Sequence, residues 1–407
     1  MLPGTRRRSR RFVVGAVSGA HFLSHFYYLV FPPLFPLFAA EFGTSNTQLG
    51  LLFSLLFLMP SLLQVPVGEL VDRTGAKPVF VAGIALTGLG TSATALSGSY
   101  PALLGFVLLA GVGQSAFHPA DFALLETVSD ATNRGKGFGA HTFAGFLGFA
   151  AGPVVAGGLG VRFGWRTALA GLGVVGVVYA AAVVLTLAPV HRGRPASGDD
   201  DGGLASSVAQ LADPRVLLTV GFFVLLTVAG TGIQSFTVVF LTETFGLGVA
   251  AANTTLSANL AASAVGVLAG GVLADRYDIY RNIALTLSAS AGFVAVIVSG
   301  VVPAAVAAVL AVFTALGFVH GLALPSRDSL VSAFSTADAT GKSFGLAYTG
   351  VTVGAFVAPV LFGVVADTLG DRLMFALVAA FYLAAVATVG LTYTLFVRHR
   401  RGASPAS

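Results

Sequence analysis

Landmarks in the first half of the chain recur at one fixed distance in the second. Pro119 answers to Pro325, Lys136 to Lys342, Phe138-Gly139 to Phe344-Gly345, Gly148 to Gly354, Pro153 to Pro359 and Arg166 to Arg372, each 206 residues on. A second correspondence, Gly68 with Asp72-Arg73 against Gly271 with Asp275-Arg276, has an offset of 203. The chain is therefore two copies of one unit, and whatever it folds into must be built twice. The matched residues are the polar, glycine and proline punctuation between long apolar runs. Parallel repeats of this kind are how many membrane carriers form a substrate site at the bilayer midplane between two halves.

Composition fixes the solvent. With 56% hydrophobic and 10% charged residues, and a mean hydropathy of +0.88, the chain is too apolar for a soluble globule. Twelve apolar stretches approach or exceed the roughly 20 residues that span a bilayer: 12–38, 48–71, 78–96, 101–128, 137–161, 165–189, 216–242, 253–274, 282–300, 303–333, 343–366 and 373–397. The expected fold is an all-α membrane protein of twelve transmembrane helices in two pseudo-symmetric six-helix bundles. Residues 1–190 form the first half, 191–214 a polar cytoplasmic linker containing RGRPASGDDDGG, and 215–407 the second half. The first span lacks the short apolar core and small-residue cleavage site of a signal peptide, so it reads as a retained span.

Positive charge sets orientation. With both termini inside, 18 of the 22 Lys and Arg fall in inner segments, which predicts a multi-pass protein of the plasma membrane with cytoplasmic termini. The basic balance is thus a topology signal facing anionic lipid, not a nucleic-acid surface. Cysteine is absent, which removes thiolate metal sites and cysteine nucleophiles. No phosphate loop of the G-x-x-x-x-G-K-[ST] type supports ATP-driven pumping. His21 and His25 have the i, i+4 spacing of a metal-binding helix face, but without the H-E-x-x-H glutamate no zinc protease is indicated. No metal, cofactor or enzyme activity is expected. Ser24 lies next to His25 in sequence and so points elsewhere on a helix.

GELVDRTGAK, residues 68–77, stands at the end of the second span, and GGVLADRYDIYR echoes it after the eighth. Here the chain resembles the major facilitator superfamily, whose loop motif has the form G-x-x-x-D-R-x-G-x-[RK]. Gly68, Asp72, Arg73, Gly75 and Lys77 occupy its positions; the second copy keeps Gly271, Asp275 and Arg276 but has Asp278 at the place of Gly75. The resemblance implies a latch that holds the inward side shut, its acid and base making a charge-assisted pair. The fifth span, with Gly139, Gly148, Gly152, Pro153 and Gly157-Gly158, is similar to the antiporter motif of that superfamily with one extra residue before the last pair. That likeness implies a cavity-sealing helix and outward transport, against generic small-residue packing. Drug exporters of the family carry an Arg where this chain has Val107. GVGQSAFHPADFALLE (111–126) and HFLSHFYY (21–28) resemble the fosmidomycin-resistance group, with Ser24-His25 in place of Asn-Asp and Asp121 one place after the usual Glu.

Polar groups inside apolar spans each cost several kcal/mol unless paired or wetted, so they are the candidate site. His21, Ser24, His25 and Tyr28 share one face of the first span; Gln114, His118, Asp121 and Glu126 lie on the fourth; His320, Arg327 and Asp328 lie on the tenth. The resemblance implies that the first, fourth, seventh and tenth spans surround the substrate. Asp121 and Arg327 are equivalent positions at the 206 offset and are expected to pair in one access state or to line the inner vestibule. His25 is the first candidate for proton coupling, or else a neutral structural imidazole; His118 reads as a helix-bend residue, and His21 as lying near the inner end. Together these readings describe a secondary carrier working by alternating access as a sufficient monomer. It would export a small organic compound against protons, import an organic anion with protons, or act as a non-transporting sensor.

Overall fold

The computed structural model describes residues 10–130, 133–187, 213–334 and 340–396, and the side chains of all these except 332–334 and 340–348. The linker at 191–212 lies outside the described residues. Among those described, every regular element is helical, and twelve stretches are long and apolar enough to cross a membrane.

The first stretch, Arg10–Phe42, is α1 (Arg10–Tyr28), a 3-10 turn at Pro32–Leu34 and α2 (Phe35–Phe42). α1 stops at Tyr28 because the ring of Pro32, four residues on, would clash with that carbonyl and supplies no N–H to it. The second and third are α3 (Asn46–Thr74) and α4 (Ala76–Ala93). The fourth is broken into α5 (Tyr100–Gln114) and α6 (Phe117–Glu126); α7 (Arg134–Phe163) and α8 (Trp165–Thr186) complete the set. The second copy runs α9 (Pro214–Phe245), α10 (Val249–Arg276), α11 (Ile279–Val298), α12 (Val306–Phe334), α13 (Thr340–Leu369) and α14 (Asp371–Phe396). Val65 and Leu185 are 81% and 82% exposed, an arrangement at home only against lipid.

The chain packs as two units, one of Met1–Thr44 and Leu55–Ser197, the other of Ser45–Ser54 and Gly198–Ser407. In the first, α1 packs on α7 and α4 on α5 and α8; in the second, α10 packs on α12, α9 on α13 and α14, and α11 on α14. Residues 45–54 belong with the second unit because the Asp367 carboxylate accepts from the Asn46 and Thr47 amides at 2.9 and 2.8 Å and from the Thr47 hydroxyl at 2.6 Å. A carboxylate on the free amides of a helix N-terminus satisfies them and meets the positive end of the helix dipole.

The repeat appears as repeated contacts. Arg166 donates to the carbonyl of Ser97, beyond the third span, and its counterpart Arg372 donates to Val298, the last residue of the ninth. In the first unit this anchor extends to Glu41, which accepts from Arg166 and, at 2.5 Å, from Nε1 of Trp165; the guanidinium lies 4.2 Å from the indole centroid. Gly75 and Asp278 each start the following helix. Gly75 does so at φ +92°, a backbone angle that favours glycine. Asp278 does so at φ −61°, its side chain accepting from the Arg281 amide at 3.0 Å. The second copy has exchanged a glycine turn for a side-chain cap.

Candidate functional site

The break between α5 and α6 positions the site. Pro119 has no N–H for the carbonyl of Ser115, so the helix opens at residues 115–116 and restarts at Phe117. The Ser115 hydroxyl donates to the Val112 carbonyl at 2.6 Å and supplies a partner at the opening. Just before the break, the Gln114 amide donates to the Ser24 carbonyl and accepts from the Ser24 hydroxyl, both at 2.8 Å. This reciprocal pair ties α1 to the end of α5. Just after it, His118 and Asp121 face α1.

Asp121 is fully buried. Its Oδ2 lies 3.3 Å from His21 Nδ1 and 3.7 Å from His141 Nε2, and neither of its oxygens has a hydrogen bond among the described residues. The imidazoles gather around it. The ring of His21 is stacked on His141 at 3.8 Å between centroids and stands 4.2 Å from His25 and 5.5 Å from His118. Four of the chain's seven histidines thus cluster inside the first unit, two of them directly against the carboxylate. An ionised carboxylate in such surroundings requires a cation beside it, either a proton shared with an imidazole or an external ion.

α7 closes the cluster. A Cβ at Gly145 would fall 2.5 Å from His25 Nδ1 and 2.8 Å from His21 Cδ2, so only glycine leaves those rings their place. Gly148 lies directly on the backbone of α1 at Phe22 and Gly152 on that of Leu29, just past its end, and Pro153 is accommodated inside an unbroken α7. The expected small-residue helix contact is therefore a contact of α7 with α1.

His21, expected near the inner end and away from the site, is at its centre, because α7 brings a buried histidine against it. His141 is the residue that sequence reasoning missed. It carries the same signal as His21, a polar group in an apolar span, but it sits among glycines that read as packing. His25 stacks on Phe149 at 4.2 Å and Tyr28 on Phe57 at 4.7 Å. Glu126 pairs with Arg134 rather than with the cluster.

In the second unit, His320 Nδ1 lies 3.0 Å from the Tyr382 hydroxyl. Arg327 donates to Asp328 at 2.9 Å, with its guanidinium 5.2 Å from the Phe223 ring. Asp121 and Arg327 thus each have charge partners within their own unit. Of the loop motif, Arg73 pairs with Glu69 at 3.1 Å, one turn back, and Asp72 is exposed. Lys77 donates to the carbonyls of Val184, at 3.1 Å, and Leu187, closing the C-terminal end of α8. Gly68, Gly271, Asp275 and Arg276 lie in the last turns of α3 and α10.

Sequence comparison matches the Major Facilitator Superfamily over residues 17–298 and 220–407. The fosmidomycin resistance protein of Escherichia coli is 26% identical over 95% of this chain and 94% of its own. A probable L-galactonate transporter of the same organism is 28% identical over 34% of this chain and 31% of its own. Among solved structures, a bacterial homologue of the human lysosomal transporter Spinster, in an inward-facing and unoccupied conformation, superposes with a TM-score of 0.85. It is 17% identical, over 99% of this chain and all of that one.

Proposed function

The chain belongs to the major facilitator superfamily, near its fosmidomycin-resistance group, and from that premise we propose a proton-coupled exporter of a small organic compound. It is a multi-pass membrane transporter and not an enzyme. Alternating access, proton coupling and outward direction are the proposed part, as are a plasma-membrane location with cytoplasmic termini and a working monomer.

One observation carries the coupling reading: Asp121, wholly buried, has only histidines as charge partners among the described residues of its unit. A carboxylate among four imidazoles can take up and release a proton without leaving the membrane interior, which a fixed Arg or Lys partner would prevent. The titratable side chains around it are His21 and His25 from α1, His118 from α6, His141 from α7 and the Tyr179 hydroxyl from α8. Tyr28 and Gln114 in the first unit, and His320 and Arg327 in the second, are each assigned a place on the substrate's route. Gating is assigned to Gly68, Asp72, Arg73, Gly75 and Lys77 with Gly271, Asp275 and Arg276, and the outward bias to the seal made by Gly148, Gly152 and Pro153.

The test is proton movement in proteoliposomes challenged with a solute panel led by fosmidomycin. Wild-type protein should move protons when its substrate is added, and Asp121→Asn should not, while still exchanging labelled substrate. Equal flux in both proteins removes Asp121 from coupling. Uptake of an organic anion is the second reading, favoured by Arg327 on the tenth span and by the name of the galactonate relative. Under it, Arg327→Gln loses substrate affinity and Asp121→Asn does not.

A further inference from the structure

The Asp121 cluster also has the donors of a metal centre. One ligand atom each from His21, Asp121 and His141 lies within 4.8 Å of the others, and all three residues are buried. In a tetrahedral site with metal–ligand distances of about 2.0–2.2 Å, neighbouring donors stand roughly 3.3–3.6 Å apart. The observed 3.3 Å from His21 Nδ1 to Asp121 Oδ2 and 3.7 Å from His141 Nε2 to the same oxygen bracket that edge. The donor atoms are also unspent: His21 Nδ1, His141 Nε2 and both Asp121 oxygens have no hydrogen bond among the described residues.

We infer that His21, Asp121 and His141 form an intramembrane site for a borderline first-row transition-metal dication, with His25 or His118 supplying a fourth ligand through nitrogen. Imidazole nitrogens with a single carboxylate select this class; Mg²⁺ and Ca²⁺ require more oxygen donors than the cluster has. A dication would give the buried carboxylate a permanent positive partner, which ionisable imidazoles are not, and engage the unspent nitrogens together. His25 and His118 stand beside His21, their ring centroids 4.2 and 5.5 Å from its own. Gly145 provides the space in which the imidazoles converge.

The test uses full-length protein purified in detergent, stripped of metal, with no gradient and no organic substrate. Co²⁺ should bind one per chain with the intense visible ligand-field bands of a four-coordinate site, Zn²⁺ should displace it, and Mg²⁺ should not. His141→Gln and Asp121→Asn should each weaken binding by more than the roughly 10–100-fold that loss of an outer-shell partner costs. Glu126→Gln, outside the cluster and paired with Arg134, should bind as wild type does. X-ray absorption of the Zn²⁺-loaded wild type provides a readout that needs no variant: nitrogen and oxygen scatterers at about 2.0 Å with the outer pattern of at least two imidazoles. Absence of Co²⁺ bands in wild type, absence of imidazole scattering, or full retention of binding in both cluster variants overturns the inference. Because no transport is measured, this outcome and that of the proton-flux experiment fail separately.

Discussion

At Gly145 a single methyl group tests the arrangement of the histidines. Gly145→Ala forces the His25 and His21 rings to turn away, since a Cβ would sit 2.5 Å from one and 2.8 Å from the other. Flexible rings yield before backbone does, so the stability cost should stay within about 1–3 kcal/mol, while substrate-evoked proton flux falls severalfold. Gly139→Ala, where a Cβ meets nothing within 4 Å, should leave flux unchanged. Ser24→Ala removes the donor to Gln114 Oε1 and leaves a buried amide oxygen unsatisfied, which should lower thermal stability by about 1–3 kcal/mol. Sequence made His25, His118 and Asp121 readable as polar groups in apolar spans. It left His141 unread, because nothing in the spacing of residues 137–161 tells that this helix lies on the first one. Which helices touch is decided by close approach at Gly148 and Gly152, and glycines in a membrane span mark many contacts without naming the partner.

Among elements, the fourth and tenth spans show how far a repeat can be trusted. Pro119 and Pro325 are equivalent, yet the fourth span breaks at 115–116 and α12 runs through its proline unbroken. The difference lies in packing. Gly317 and Gly321 of α12 rest on the carbonyls of Asn259 and Ser263 in α10, with no room for a Cβ, a long contact that favours an uninterrupted helix. At the position equivalent to Gly321 stands Ser115, whose hydroxyl bonds within the opening instead. Pro119→Ala should therefore give a protein that is more thermally stable but less active, as the fourth span becomes continuous and His118 and Asp121 rotate with it. Pro325→Ala should alter transport far less. A stability gain without loss of flux would show that the break does not set the site. Lys77→Met should cost about 1 kcal/mol by freeing the carbonyls of Val184 and Leu187, read as a drop in Tm. The twelve spans and the repeat were legible because lipid demands length and apolarity of each helix; the breaks were not, because proline permits a break that neighbouring helices either refuse or accept.

For the molecule as a whole, duplication and divergence divide the labour. The anchoring of Arg166 and Arg372 is kept in both copies, whereas Asp121 and His141 are answered at the 206 offset by Arg327 and Ala347. The scaffold is repeated and the ionisable centre is not. Orientation can be read directly, because a chain without cysteine accepts single labels cleanly. Tyr277 and Val301 are exposed at opposite ends of the helix Ile279–Val298. With cytoplasmic termini, an impermeant thiol reagent added outside intact cells should label Val301→Cys and spare Tyr277→Cys; the reverse pattern would invert the proposed topology. Trp165, the single tryptophan of 407 residues, donates to Glu41 beneath the Arg166 guanidinium. That anchor therefore carries its own fluorophore. Emission from unlabelled protein, followed through a substrate titration, watches this end of the first unit alone, and a spectrum that never shifts would assign the anchor to the part of the machine that stays still.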